Sequence, residues 1–463
     1  GLSYTKYECE YGGIRAVQTL FIPRGEAVEI WDLSLENISG RARNISVFSY
    51  AELSFHHIDM DNRNFQMSLY AAGGSYADGI IEQDLFYEEN GFQYFAATFP
   101  PDSYDTVREA FRIAASGRPG PVLIDIPKDV TAALTDYQPK PCAGPRPTPA
   151  PKEERITRTL ELLAECRKPL IYFGGGVLSS GAEEPLVRLA EKLDIPVCAS
   201  MMGLGGFPAD HRLWLGMVGM HGTLAANRAA RECDLLLVCG ARFSDRVAGS
   251  RTGFAPHAQV VHIDIDHAEF DKNVAAAVRV AGDLKMVLSR LADEASPAQR
   301  TAWVEELTAL RRTFRADMSD PDARPDPLAI LHMLRALTED DAIIATDVGQ
   351  HQMIMAQYYQ FTRPRSFVSS CGLGTMGFGM GAAIGAKIAN PKRPVVLVTG
   401  DGSFHMNMNE LATAVSEKLP IVVLIFNNHV LGMVRQWQTL FYEHRYSNTT
   451  IDRATDYVKL AEA

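Results

Sequence analysis

The stretch Val395–Asn428, VVLVTGDGSFHMNMNELATAVSEKLPIVVLIFNN, constrains the fold more than any other part of the chain. An apolar run, Val395–Val398, ends in Gly400-Asp401-Gly402, and a helical pattern follows over roughly Asn407–Lys418. Pro420 stops it, and a second apolar run, Ile421–Phe426, ends in Asn427-Asn428. That order predicts strand, helix and parallel strand. Right-handed crossover sets the carboxyl ends of the two strands side by side, at the edge where open α/β sheets bind ligands. Asp401 and Asn428 then bring one carboxylate and one amide oxygen to that edge. With backbone carbonyl, water and phosphate oxygens they make a Mg²⁺ site for a diphosphate. Gly400 and Gly402 allow close approach of the backbone. The plainer reading is an ordinary strand–helix–strand unit with a glycine turn and an Asn-Asn loop.

The chain of 463 residues has room for about three domains of roughly 150 residues. Its 46% hydrophobic and 22% charged residues read as a soluble globular protein. The net charge of −11 is spread without a basic patch, which argues against nucleic acid and anionic membrane as partners. No apolar run reaches the ~18–20 residues that span a bilayer. Seven cysteines without a CxxC pair read as reduced thiols, and the expected location is cytoplasmic. The start at Gly1-Leu2-Ser3 and the end inside a helical pattern, Tyr457–Ala463, read as cut ends.

The chain has two styles. Residues 1–105 read as β: Trp31, Leu33 and Leu35 alternate with Asp32, Ser34 and Glu36 as a half-buried strand, and Asn44–Phe55 as another. Pro23-Arg24-Gly25-Glu26 is a hairpin signal, and an antiparallel β-sandwich is expected. From a helix at Thr106–Ala115 onward the chain reads as α/β, with parallel sheets. Val122–Ile126 reads as a buried strand closing a domain tail, 106–136, and a Pro-rich linker occupies 137–155. A central domain over 156–318 has strands at Pro169–Phe173, Ile195–Cys198, Asp234–Cys239 and Val260–Ile265. A second boundary near Asp320–Pro327 leads to a last domain over 325–463.

From about Thr106 the sequence resembles the large catalytic subunit of acetolactate (acetohydroxyacid) synthase, a thiamine-diphosphate enzyme. GDG followed by NN, Arg118–Val130 (RPGPVLIDIPKDV), Gly349–Met353 (GQHQM), Gly372–Gly379 (GLGTMGFG) and Gln436-Trp437 carry the likeness. Gly381 and Ser244 depart from it, where Pro and Asp are expected. Residues 1–105 resemble something unrelated, the N-terminal β-sandwich of cellobiose phosphorylase and other glycoside phosphorylases. Tyr4–Arg15 and Ser54–Tyr70 carry that likeness. The helical barrel with the catalytic acid of those enzymes has no counterpart, so the sandwich is expected to be non-catalytic. Two genes joined near Tyr104–Val107 would give such a chimera.

The first resemblance implies three cofactors: thiamine diphosphate, Mg²⁺ and FAD. It assigns the metal to Asp401, Asn428 and the Val430 carbonyl. It assigns thiamine diphosphate to Gly349, Gln350, His351, Gly374, Met376, Gly400, Gly402 and Ser403. Met376 would be the apolar wedge between the cofactor rings, although Met is also a common core filler. For FAD it implies Gly174, Gly175 and Gly176, then Met220, His221 and Gly222. Further along it implies Gly240, Arg242, Asp245 and Arg246, and finally Asp264, Ile265, Gly282 and Asp283. Arg246 would grip the substrate carboxylate, Trp437 would line the channel, and Lys128 is a weaker candidate.

The expected reaction decarboxylates pyruvate and joins it to a second 2-keto acid, in branched-chain amino acid biosynthesis. The family's pyrimidine-activating Glu lies ahead of the RPGPVLIDIP segment, where this chain carries the sandwich instead. No catalytic residue is assigned for that reason, and catalytic incompetence of the chain alone is expected. A homo-oligomer and a regulatory small subunit are implied by resemblance. The competing readings are a pyruvate oxidase-like or other carboligase, a carbohydrate-binding or structural fragment, and a protein that holds FAD without turnover. His56-His57 with Asp59 and Asp61 does not read as a metal site, because adjacent strand residues point to opposite faces.

Overall fold

The computed structural model describes residues 4–11, 13–21, 30–41, 72–77, 80–85, 91–96, 106–124, 144–250, 253–311, 326–338, 340–451 and 455–462. The chain divides into two compact units, residues 1–104 with 125–139 and residues 105–124 with 140–463. Pro23–Glu26, Asn44–Phe55, His56-His57 and Lys128 lie outside the described residues.

The first unit is antiparallel. Strands β1 (Tyr4–Tyr11), β2 (Ile14–Phe21) and β3 (Ile30–Asn37) form one three-stranded sheet. Strands β4 (Ala72–Ala77), β5 (Ile80–Leu85) and β6 (Gly91–Ala96) form another. Gly13, at φ +81°, turns β1 into β2, and a Cβ there would meet Ser39. Arg15 on β2 bridges Glu10 on β1 at 2.7 Å and Glu36 on β3 at 2.9 Å, a cross-strand ladder. The half-buried reading of β3 does not hold: residues 32–37 are all exposed, Leu33 and Leu35 included. Alternation sets which side chains share a face, not whether anything covers it.

The second unit holds two parallel sheets. The central one comprises β7 (Pro169–Phe173), β8 (Val197–Ala199), β9 (Trp214–Met217), β10 (Leu235–Cys239), β11 (Gln259–Asp264) and β12 (Val278–Ala281), in the order β12-β11-β10-β7-β8-β9. β7 and β10 are buried at every position, as unbroken apolar runs should be in a sheet covered on both faces. On one face lie helices Glu183–Leu193 and Leu284–Glu294, which bury Leu186, Leu189, Leu288 and Leu291. On the other lie Leu224–Glu232 and Thr301–Thr308, where Trp303 donates its indole N–H to the Pro169 carbonyl at 3.0 Å. The chain leaves β7 for β8 and β9, then returns to β10 beside β7. That reversal sets a topological switch point at the carboxyl ends of β7 and β10.

The last sheet comprises β13 (Ile343–Thr346), β14 (Phe367–Ser369), β15 (Val395–Gly400) and β16 (Val422–Phe426), in the order β14-β13-β15-β16. All pairings are parallel, and β15 and β16 are neighbours as the sequence predicts. Its switch point lies between β13 and β15.

Three local expectations change. The helix after β15 begins at Asp401 itself rather than near Asn407, running Asp401–Asn407, a 3₁₀ turn Met408–Glu410, then Leu411–Ser416. Two glycines read as a loop, but Gly400 is extended and Ser403 fastens the first helical turn to the Val348 carbonyl at 2.8 Å. The expected strand Val122–Ile126 is not one where described: residues 121–124 are irregular and Leu123 is 90% exposed. An apolar run becomes a strand only when a neighbour takes up its backbone hydrogen bonds. The helix Glu153–Glu165 starts inside the stretch read as linker.

At the central switch point the two glycine loops meet backbone to backbone. Gly174 donates to the Cys239 carbonyl at 3.1 Å and Gly176 to the Gly240 carbonyl at 3.0 Å. Gly240 has φ +54°, and a Cβ on it would lie 2.7 Å from the Gly176 Cα. Gly240→Ala is therefore expected to destabilise the second unit by about 2–4 kcal/mol, from left-handed strain and overpacking together. Urea unfolding followed by tryptophan fluorescence checks this, and a loss below about 0.5 kcal/mol, the range of neutral surface changes, would show that the loops do not pack this way.

Candidate functional site

The carboxyl end of β13 runs into Asp347-Val348-Gly349. The Asp347 carboxylate is buried and accepts three backbone N–H groups: Val348 at 2.9 Å, Gly377 at 2.8 Å and Gly379 at 3.3 Å. It thus ties the Gly372–Gly379 loop to the strand end. Gly377, at φ +85°, makes the tight turn into helix Phe378–Ala389. Gly349 starts helix Gln350–Tyr358.

The His351 ring fills the space between β13 and β15. A Cβ on Gly349 would come within 2.7 Å of its Cε1, and one on Gly400 within 3.0 Å of its Nδ1. These glycines make room for an imidazole, a more specific need than close backbone approach. Burial pushes the His351 pKa down to about 4, so the ring is neutral at pH 7. Its Nε2 is buried without a hydrogen-bond partner. An unpaired buried nitrogen at a strand-end crevice fits a ligand's polar group.

Asp401 and Asn428 follow the neighbouring strands β15 and β16. Asp401 is buried and forms no ion pair among the described residues, a setting that favours a bound cation. The Asn428 side-chain oxygen accepts the Val430 N–H at 3.1 Å. Val430 is held by pairing with Thr450, flanked by bonds from Leu431 to Thr449 and Ile451 to His429, each 2.8 Å. No group of three or more His, Cys, Asp or Glu among the described residues is built to hold a metal. A cation here would thus depend on amide, carbonyl and ligand oxygens, the donor set of Mg²⁺.

Gln350 reaches the loop after β16, crowding Gly432 and donating to the Gln436 side chain at 3.3 Å. A Cβ on Gly402 would strike Leu431 and Ile451, with the Met376 methyl 3.9 Å away, so Gly402 and Met376 are close. Gly374, at φ +71°, lies in the exposed part of the Gly372–Gly379 loop. Trp437 is partly exposed and tilts against Phe441 at 5.0 Å on helix Gly432–Phe441.

In the central sheet every FAD candidate ends or follows a strand at the carboxyl edge. Their local roles differ. Gly174 and Gly176 already spend their N–H groups on β10 and its loop. Gly219–Gly222 is clamped by Asn227, whose side chain bonds Gly219 N at 2.8 Å and Gly219 O at 3.0 Å. Met220 donates to the Arg246 carbonyl at 2.8 Å, and the His221 carbonyl accepts from Gln357 at 2.6 Å. His221 is held below its usual pKa by burial and by nearby Arg246. Arg242, Asp245 and Arg246 are exposed, with Arg246 3.2 Å from Asp245.

Asp264 accepts the Asp266 N–H at 2.9 Å, and burial raises its pKa. Ile265 is half-buried beside it. Gly282 donates to the Asp264 carbonyl at 3.2 Å. Asp283 caps helix Leu284–Glu294 through the Met286 N–H at 3.0 Å, a structural duty the sequence reading did not give it.

Sequence reasoning missed Asp347 and Asn227. Asp347 was open to detection as an acid at a strand end just before a glycine. Asn227 acts across eight residues from inside a helix, which no local pattern signals.

Three family profiles match separate parts of the chain. Residues 347–463 match the thiamine pyrophosphate enzyme C-terminal TPP binding domain, and residues 156–291 the thiamine pyrophosphate enzyme central domain. Residues 1–118 match the glycosyl hydrolase 94 supersandwich domain. The chain is 46% identical over 380 residues to a probable acetolactate synthase large subunit of Methanocaldococcus jannaschii, covering 79% of this chain and 64% of the relative. It is 45% identical over 356 residues to the acetolactate synthase isozyme 2 large subunit of Escherichia coli K12, covering 77% and 64%. It is 44% identical over 415 residues to an acetolactate synthase of Mycobacterium bovis, covering 85% and 67%. The chain therefore spans less than two thirds of the length of the first two relatives. No helix among the described residues is long and apolar enough to cross a membrane.

The depressed pKa of His351 gives a pH signature. Between about pH 6.5 and about 4 the unfolded chain takes up a proton that the folded ring refuses, so stability falls as pH falls through that window. Converting His351 to Gln should remove about 1–3 kcal/mol of that pH dependence. Urea midpoints at pH 7, 6 and 5 check it, and identical slopes in both proteins would contradict a buried neutral imidazole.

Proposed function

We propose that this chain, which belongs to the acetolactate synthase family, holds thiamine diphosphate with Mg²⁺ at the switch point between β13 and β15. One observation carries the reading: buried His351, with an unpaired Nε2, and buried Asp401, without a counter-ion among the described residues, lie at the carboxyl ends of the two strands that flank that point. Gly349, Gln350, His351, Gly374, Gly400, Gly402 and Ser403 would surround the diphosphate. Asp401, Asn428 and the Val430 carbonyl would hold the metal, and Met376 would support the rings. When bound, thiamine diphosphate supplies the carbon nucleophile and electron sink that decarboxylation of a 2-keto acid such as pyruvate requires. Arg246 would orient the substrate carboxylate, and Trp437 would form a wall of its channel.

FAD is proposed for the carboxyl edge of the central sheet, over Gly174–Gly176, Met220–Gly222, Gly240–Arg246 and Asp264–Asp283. It would have no net redox role in joining two keto acids. In the intact parent the partners would be a second copy of the chain and a regulatory small subunit. The whole activity, condensation of pyruvate with a second 2-keto acid, is proposed for that parent. Residues 1–118 match the glycosyl hydrolase 94 supersandwich domain, so Glu8, Glu10, Glu26 and Glu29 do not stand in thiamine-enzyme context. Losing a proton-relaying acid costs about 10²–10⁴-fold. This polypeptide alone is expected to bind cofactors and to make no acetolactate. A join between two genes near residues 104–107 accounts for the two families, and single-molecule reads across that codon range test it.

Calorimetry of the purified chain with thiamine diphosphate should show saturable binding that needs Mg²⁺. Asp401→Ala should weaken it at least about tenfold, ~1.4 kcal/mol. Binding indifferent to Mg²⁺ and to that substitution would sink the reading. The yellow visible absorbance of bound flavin should appear on soaking with FAD and remain after desalting. A colourless protein would remove FAD from the account.

A further inference from the structure

A cavity lies within the larger unit, beside edge strand β9 of the central sheet rather than at either switch point. It is an open groove of about 800 Å³ walled by β9, the start of helix Leu224–Glu232, the end of helix Thr301–Thr308, and helices Pro327–Thr338 and Gln350–Tyr358. Its walls thus come from both parallel sheets' layers. Gly222, Thr223 and Asn227 face it, whereas Met220, His221 and every other candidate flavin residue are absent from its wall. It therefore lies behind the flavin-side loop.

The described part of the wall has one sign of charge. Arg311, Arg335 and His332 line it, and no Asp or Glu does among the described residues. Arg335 is engaged by Asp340. Arg311 forms no ion pair among the described residues, and its guanidinium has only a long contact, 3.5 Å, to the His211 carbonyl. Arg311 is exposed to solvent, with partial desolvation lowering its pKa, so the charged guanidinium stands open to an incoming anion. Trp214, Tyr358 and Tyr359 add aromatic surface, and Gln357 and Gln360 add amide donors and acceptors. A space of this size, part apolar with a few convergent polar groups, is typical of a small-molecule site.

We propose that this cavity binds a small anion carrying an aromatic or heteroaromatic ring, of the size of a mononucleotide, with Arg311 as its charge partner. The occupant would touch Gln357, whose amide holds the His221 carbonyl at 2.6 Å. It would also rest on helix Gln350–Tyr358, whose first turn carries Gln350 and His351. Occupancy would thus join the central layer to the helix that begins at the other switch point.

The test uses the full chain and AMP as probe, with adenosine and inorganic phosphate as the two half-probes. Saturable AMP binding by calorimetry is expected, at least tenfold tighter than either half. Arg311→Gln should weaken it about tenfold or more, at unchanged thermal midpoint of the unliganded protein. Leu224→Trp, which places bulk at an exposed position of the wall, should weaken it as well. Excess FAD should leave AMP binding unchanged. Displacement by FAD would assign the AMP to the flavin side and overturn the proposal. Absence of AMP binding, or binding indifferent to both substitutions, would overturn it equally, and none of these results bears on Mg²⁺-dependent thiamine diphosphate binding.

Discussion

The last sheet depends on Asp347. Its buried carboxylate takes three backbone N–H groups from two places, its own strand exit and the glycine turn before helix Phe378–Ala389. A charge out of water is tolerated only when its lone pairs are filled. This one is filled by backbone that must sit in a fixed place. The Gly372–Gly379 loop, with Met376 in it, is positioned as a by-product of satisfying an acid. The same strand exit places Gly349 and His351, so one side chain sets both sides of the crevice at β13.

The parallel strands, their pairing of β15 with β16 and the edge at which the candidate residues gather were legible in the sequence. Those features follow from apolar run length, Gly and Pro punctuation and the handedness of crossovers, all of which are local or nearly so. The start of the helix at Asp401 was hidden, because GDG looks like a loop unless Ser403 is known to reach Val348. Val122–Leu123 shows the opposite failure, a strand-like run with no neighbour among the described residues to pair with. The roles of Gly349 and Gly400 were half legible: the need for glycine was, and the imidazole that imposes it was not.

The two switch points illustrate how one topology can be filled in different ways. In the central sheet, glycine loops close against each other, so the edge offers outer surfaces of loops to a long ligand such as a dinucleotide. In the last sheet the space holds an aromatic ring with one nitrogen unspent. The family matches fall on these two sheets separately, and the antiparallel unit matches a third family of unrelated chemistry. The two parallel sheets nevertheless share one hydrophobic cluster, which holds Phe173 and Leu237 of the central sheet with Ile344 and Val398 of the last.

The neutrality of His351 has a consequence for charge. Gly349, Gln350, His351, Gly400, Asp401, Gly402, Ser403 and Asn428 together contribute one negative charge and no positive one at pH 7. A diphosphate proposed for that crevice would find attraction in the backbone N–H groups at the start of helix Gln350–Tyr358, and the proposed metal would offset the repulsion from Asp401. Recognition at such a place discriminates by the ion the ligand carries as much as by the ligand's shape.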